Sequence, residues 1–563
     1  MIKTDVAIIG GGPAGSTVGV LLKKYNPSLD VTIIERERFP RDHVGESQVP
    51  IISAILDEMG VWDKVEAANF PIKIGATFKW GATKEFWDTD FLNFEKFRDE
   101  PRPANFVGQR QKTAFQVDRS IYDKILLDHA KEFGCRVLEE TKVTRIDRLD
   151  DTVLGLQVTT ESADIASELG EDGHIEAKYY VDCSGEGGIL RRALDIDIEA
   201  PTALRNIAVY RYWEDANWAV SIGIGGTRIQ IMSLDWGWLW FIPITPTRTS
   251  IGLVLPAPYF KASGKSTAEI YAESIAAEPL ISDLVANATP EPEIFATKDW
   301  NFVSKRLVGE NWFLAGDSCG FADPILSAGM TLAHVSARKV AFTILELERG
   351  ETDPAWLKHE YEDGHQTQIK HHMQFADFWY SSNVQFADLK DYCAEIAETA
   401  GISLSGEEAF RWLATGGFTI DEPGVAAALT YRVSGLKLIA VALGGSAPEW
   451  ELTKTNFWRL NLEGVTEGHF VRYADGRVLP IPCLKKGSRI LPTIDVFKHL
   501  LNAMGRNFDS ILILEDCVNS MILEDGIDVD DAPLLALEAI EAMMLEGWIK
   551  GKAISSQPFI TVK

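Results

Sequence analysis

A glycine-rich hexapeptide, Gly10-Gly11-Gly12-Pro13-Ala14-Gly15, stands between an apolar run, Asp5 to Ile9, and an apolar-periodic stretch, Ser16 to Lys24. A second apolar run follows at Val31 to Ile34. This order predicts strand, turn, helix, strand, the unit that holds a dinucleotide. Gly10 permits the tight turn, Gly12 lets backbone approach a pyrophosphate, and Gly15 lets the helix lie close on the strand. The diphosphate would rest over Pro13, Ala14 and Ser16, where the open end of the helix favours an anion. Glu35, about 20 residues beyond Gly15, is placed to accept hydrogen bonds from a ribose hydroxyl, with Arg36 beside it.

Three further segments carry residue types suited to chemistry. Gly237 to Pro243 sets Trp238, Leu239, Trp240 and Phe241 before a strand-ending proline, which makes a rigid apolar wall. Phe321-Ala322-Asp323-Pro324-Ile325-Leu326-Ser327-Ala328-Gly329 leads into a helical run, Met330 to Ile344. Ser327 can cap that helix, and the Ala328 and Gly329 amides at its N-terminus can hold a small anion. In the third segment Ile72, Ile74, Ala76, Phe78 and Trp80 alternate, which places Lys73, Gly75, Thr77 and Lys79 together on the opposite face of a strand. By alternation alone Lys79 is a solvated lysine.

The spacing F-x-x-P-x-x-S-x-G of Phe321, Pro324, Ser327 and Gly329, the Trp238 to Pro243 motif and the glycine turn together resemble the flavin-dependent halogenases. These enzymes place chlorine or bromine on electron-rich carbon. Three more segments resemble FAD-dependent monooxygenase-type proteins: Arg38 to Ser47, which contains Arg41; Asp118-Arg119, heading a helix to His129; and Leu314-Ala315-Gly316-Asp317. In such proteins the arginine of the second lies near the diphosphate and the aspartate of the third holds the ribityl chain.

The resemblance implies an α/β chain with a Rossmann-like FAD-binding domain of the GR2/PHBH type, an antiparallel-sheet substrate domain and a mainly helical C-terminal region. Residues 1–380 would form the core, with the substrate sheet interleaved at about 60–120 and 200–300, and 381–563 a substrate-cover or docking region. FAD is the implied cofactor, and chloride or bromide would sit at Ala328 and Gly329. Trp238 and Trp240 would keep substrate from the flavin, while Ser327 and Lys79 would be catalytic, with Lys79 receiving hypohalous acid and delivering the halogen. No second glycine fingerprint stands in a strand-helix context, so FADH2 would come from a separate flavin reductase. Leu326 stands where tryptophan halogenases carry a glutamate, which points to the phenol and pyrrole type, with substrate free or bound to a carrier protein. An FAD-linked lipid or prenyl reductase, a hydroxylase, or a non-catalytic flavin-binding protein are the other readings. The tryptophan pair and Lys79 separate the reductase, which must bring its alkene to the flavin.

The elements that must position these residues are legible as strand-like stretches at Tyr179 to Cys183, Arg205 to Tyr212, Arg228 to Leu234 and Thr249 to Leu255, suggesting a mostly antiparallel sheet over the flavin. Lys+Arg 55 against Asp+Glu 82 gives 55 − 82 = −27, which disfavours nucleic acid and anionic lipid as partners. Six cysteines without a C-x-x-C pair read as buried small hydrophobes in a reducing cytoplasm. No apolar run reaches roughly 18 residues, so no membrane insertion is expected. Lys370-His371-His372 reads as a solvated helix face rather than a metal site. Asp525, Asp528, Asp530 and Asp531 read as a capped turn lacking calcium-loop spacing. Farther along, helical patterns cover Asp388 to Thr399 and Gly406 to Leu413, a hairpin turns at Ala474-Asp475-Gly476, and a last helix runs Leu534 to Leu545.

Overall fold

The computed structural model describes residues 1–80, 85–91, 97–170, 173–202, 204–298, 301–381, 449–487 and 489–562. The helical patterns at Asp388 to Thr399 and Gly406 to Leu413 lie outside the described residues. The described residues fall into two compact units, one of Met1–Lys79, Phe86–Ala376 and Tyr473–Val478, the other of Trp80–Glu85, Asp377–Arg472 and Leu479–Lys563.

The first unit begins β1 (Ile2–Ile9), α1 (Pro13–Tyr25), β2 (Val31–Ile34). It continues through β3 (Ile72–Lys79), β4 (Phe86–Asp90), β5 (Ala114–Phe115), α2 (Arg119–Glu132), β6 (Arg136–Leu138), β7 (Thr141–Leu149), β8 (Thr152–Thr160) and β9 (His174–Asp182). Then come β10 (Asn206–Glu214), β11 (Gly226–Ser233), β12 (Trp238–Pro243), β13 (Arg248–Pro256), α3 (Thr267–Ala277), α4 (Pro279–Leu284), β14 (Phe295–Lys298), β15 (Trp312–Leu314), α5 (Ala328–Arg349) and α6 (Pro354–Ser381).

One sheet runs β6-β2-β1-β9-β8-β7, with β15 also on β9. Its central pairs are parallel, Val6 opposite Val31 and Val6 opposite Tyr179. The glycine turn joins β1 to α1. Gly10 has φ +106°, and a Cβ there would lie 2.3 Å from the Cys183 carbonyl oxygen; one at Gly15 would lie 1.9 Å from that of Gly10. Only glycine lets strand and helix meet this closely. Tyr179 to Cys183, expected among the antiparallel stretches, instead pairs parallel with β1 and β15 in this sheet. Buried on both faces, it has no alternation to reveal its sheet.

The second sheet runs β10-β13-β12-β11-β3-β4, with β14 on β10 and β5 on β3. It is antiparallel except that β3 and β11 are parallel. One face carries Val209, Met232, Leu239, Phe241, Ile251 and Leu253, packed under α3 and α4 through Ile270, Ile275 and Ile281. A Ser266/Glu269 capping box starts α3.

The described C-terminal part contains β16 (Phe457–Leu460), β17 (Thr466–Ala474), β18 (Arg477–Lys486), β19 (Arg489–Pro492), α7 (Asp495–Arg506), α8 (Ser510–Asp525), α9 (Ala532–Leu545) and β20 (Ile549–Lys552). This described part carries three helices together with short strands. Asp475 and Gly476, φ 50° and 69°, make the hairpin turn with both central residues left-handed. Trp458, Leu500, Ile513, Cys517, Ile540 and Trp548 form the second unit's own core. Cys135, Cys183, Cys319, Cys483 and Cys517 are buried and unpaired. His372 is buried rather than on a solvated face, because α6 turns it inward. Among the described residues no helix is long and apolar enough to cross a membrane.

Candidate functional site

A cavity of about 1320 Å³ opens beside the glycine turn, between the end of β1 and the second sheet. Gly10, Gly12, Pro13 and Ala14 form one wall, and Glu35, Arg36, Arg41 and Arg119 stand at the same end. Gly15 and Ser16 shape the turn from behind, Ser16 Oγ donating to the Gly11 carbonyl at 2.9 Å. Glu35 is 5% exposed and fixed by the Gly11 and Glu37 amides at 2.7 and 2.8 Å, which aim its carboxylate along the cavity wall. Arg119 forks onto Asp123 at 2.7 and 2.9 Å and donates to the Val44 and Gly45 carbonyls, tying Arg38 to Ser47 down as a strap. Arg41 stacks on Phe39, while its buried Nη1 makes no hydrogen bond and lies 3.6 Å from Asp123. A Cβ on Gly12 would touch the other Arg41 nitrogen at 3.6 Å. A glycine cradle faced by the Arg41 guanidinium, one nitrogen of which makes no hydrogen bond, fits a dinucleotide diphosphate. Asp317 and Pro324 also line the cavity, and Gly316 beside Asp317 lies so close to the turn that a Cβ there would come within 3.1 Å of the Ala14 side chain. Burial pushes the Asp317 carboxyl up to about 7, and Glu46, buried with Tyr212 and the Gly45 amide as donors, is also pushed up to about 7 by burial.

Trp238 and Trp240 face this cavity from β12, beside Ile229, Ile231 and Tyr210. Trp240 donates through Nε1 to Ser250 Oγ at 3.1 Å. Its indole lies in a trough floored by Gly252, where a Cβ would come within 2.1 Å of the ring. Sequence reasoning did not single out Gly252.

Ser327, Ala328 and Gly329 line the cavity where α5 begins. Ser327 is the residue before the helix and is left-handed at φ 59°, ψ 34°, with no side-chain capping bond. A Cβ on Gly329 would strike the Phe321 ring at 2.7 Å, so this glycine lets the helix end approach Phe321.

Lys79 does not reach the cavity. It pairs at 2.6 Å with Glu278, a carboxylate 1% exposed at the junction of α3 and α4, on the sheet face away from the cavity. The reason is a one-residue bulge. Pairing with β11 passes from Thr227–Lys73 directly to Arg228–Gly75, leaving Ile74 without an opposite residue. The bulge breaks strict alternation, so Lys73 shares the face of Ile229 and Ile231 while Gly75, Thr77 and Lys79 take the other. Lys73, 3% exposed, reaches Ser327 Oγ at 3.3 Å, with the Phe91 ring 5.5 Å away. Desolvation pushes its ammonium down to about 7. Sequence alternation missed Lys73; Gly75, an isolated glycine inside a strand pattern, was the available sign of a bulge.

Residues 3–376 match the FAD binding domain family. The chain belongs to that FAD-binding family. A tryptophan 2-halogenase of Chondromyces crocatus is 32% identical over 356 residues, 63% of this chain and 63% of that protein. A 1H-pyrrole-2-carbonyl-[peptidyl-carrier protein] chlorinase of Pseudomonas fluorescens is 28% identical over 394 residues, 68% of this chain and 84% of its own. The chain thus spans a little under two thirds of the tryptophan halogenase's length and most of the pyrrole chlorinase's. The crystal structure of CmlS, a flavin-dependent halogenase, superposes with a TM-score of 0.72 at 24% identity, covering 100% of this chain and 98% of that one. The FAD binding domain gives FAD as the cofactor, and the relatives and the solved structure to which the chain is similar are flavin-dependent halogenases by name.

Proposed function

We propose that this FAD-binding protein is a halogenase that uses FADH2 from a separate flavin reductase, oxygen, and chloride or bromide to halogenate an electron-rich aromatic of phenol, pyrrole or indole type, free or carrier-bound. The observation that carries this reading is Lys73, buried and unpaired with any carboxylate among the described residues, reaching the Ser327 that opens α5 beside the cavity. When bound, reduced FAD supplies the electrons that activate oxygen and yield hypohalous acid from halide. The lysine role expected at Lys79 passes to Lys73. Its ammonium donates to the oxygen of hypohalous acid; the ring carbon takes the halogen as the O–X bond breaks, the departing hydroxide takes the Lys73 proton and leaves as water, and the ring proton passes to solvent. The neutral lysine is then restored to its charged form from solvent. Trp238 and Trp240 bar the aromatic from the cofactor, which opposes a reductase. Ala328 and Gly329 offer backbone amides to halide. The carrier-bound option is supported by the pyrrole chlorinase relative, and indoles by the tryptophan halogenase relative.

The test is product formation. Protein is supplied with FAD, a flavin reductase, NADH, oxygen and bromide, and phenols, pyrroles, indoles and carrier-tethered pyrroles are screened by mass spectrometry for the bromine isotope pattern. Brominated product from the parent and Lys79→Ala, but none from Lys73→Ala, is expected. Product retained by Lys73→Ala would remove Lys73 from the reaction, and reduction of an alkene instead would replace the halogenase reading.

A further inference from the structure

Two buried polar side chains beside Lys73 have no partner. Gln116 is 0% exposed, and neither its amide oxygen nor its nitrogen makes a hydrogen bond. Ser47 is 8% exposed, and its Oγ is likewise unpartnered. Bare buried donors are costly, and in folded proteins they mark a place where something else binds.

Strand register brings both groups to Lys73. Lys73 lies directly opposite Ala114 on β5, so their side chains share a face, and Gln116, two residues on, lies on that face too. Ile72 and Phe115 take the other face, where Phe115 packs on Trp62 and Arg110. Ser47 opposes Gln116 in an antiparallel bridge. The flanking bonds, Gln48 N–H to the Phe115 carbonyl and Val117 N–H to the Glu46 carbonyl, make it the narrow kind of pair, with side chains closest together. Ser47 and Ser327 line the flavin cavity, whereas Lys73 and Gln116 are not among its lining residues and stand behind the two serines. Among the described residues the Lys73 ammonium meets only the Ser327 hydroxyl and the Phe91 ring, with no carboxylate to neutralise it.

We propose that Gln116, Ser47 and Lys73, with Ser327, form a halide site behind the serine rim of the cavity, separate from the Ala328 and Gly329 amides. A single halide takes the amide N–H, the hydroxyls and the ammonium as donors, and supplies the counter-charge that the buried lysine lacks. The Gln116 amide oxygen is then free to accept from Lys73. The identity of the anion rests on the halogenase reading; the convergence of unpaired donors does not. The site would hold halide at the point where halogen passes from the cavity towards Lys73.

Crystals of the FAD-loaded protein soaked in bromide and measured at the bromine absorption edge test this, with bromide titrations in solution followed by tryptophan fluorescence. An anomalous peak within hydrogen-bond reach of Gln116 Nε2 and Ser47 Oγ is expected. Gln116→Leu should remove it and weaken bromide binding about tenfold, the loss of one hydrogen bond to a charged group. Should Gln116→Leu fail to fold, Ser47→Ala carries the same expectation. A peak confined to the Ala328 and Gly329 amides, or a variant that binds bromide as tightly as the parent, overturns the site and leaves the halogenase reading standing. No bromide at either place, together with no brominated product, overturns both.

Discussion

Two lysines on one strand have opposite fates, and each makes a measurable claim. Burial pushes the Lys73 ammonium from 10.5 down to about 7. Between those values the unfolded chain holds more protons than the folded one, so stability rises with pH across the window. Lys73→Met removes the cost of burying charge. The variant should exceed the parent in urea midpoint below about pH 7, and the gap should close as pH approaches 10.5. A gap that stays constant would show that burial does not shift the titration of Lys73. Lys79 is a structural partner for Glu278, whose carboxylate is 1% exposed. Lys79→Met strands that carboxylate and should cost about 3 kcal/mol in chemical denaturation, while the halogenation proposed above persists in the folded protein. The sequence did mark a lysine on this strand, but period-two reasoning assumed an unbroken ladder. The side of the sheet was set by a bulge whose only trace in the sequence is Gly75.

At the scale of elements, the cavity wall depends on a row across the second sheet, Tyr210 opposite Gly252 and Gly252 opposite Trp240. Gly252 provides the hollow for the Trp240 indole, and Ser250 holds its N–H. Gly252→Ala should therefore push Trp240 off its floor and break the Ser250 bond, costing about 2 kcal/mol as overpacking does. Thermal denaturation and the near-ultraviolet circular dichroism of the tryptophans would read this; an unchanged near-ultraviolet spectrum would mean that the indole does not depend on the hollow. The Trp238 to Pro243 motif was legible because four large apolar residues before proline have few places to go but a buried strand end. Gly252 was not, since its meaning comes from a strand that follows later and pairs beside it.

For the whole molecule, two units with separate cores predict separable stability. Trp458 is fully buried in the core of the second unit. Trp458→Ala should remove about 3–5 kcal/mol there and leave FAD binding by the first unit at parental strength, measured by flavin fluorescence quenching during an FAD titration. Loss of FAD affinity in step with unfolding would show one cooperative body instead. The sequence by itself determined the dinucleotide turn, the aromatic wall and the serine-headed helix, because each is a short-range demand: a left-handed or contact-limited glycine, a run of bulky side chains, an open helix end. Only the tertiary structure decided which lysine meets Ser327, that Tyr179 to Cys183 pairs parallel with the first strand, and that Ser47 pairs with Gln116 next to the strand pair that carries Lys73. Those outcomes turn on register between strands distant in sequence, where one unpaired residue, Ile74, exchanges the faces of all that follow.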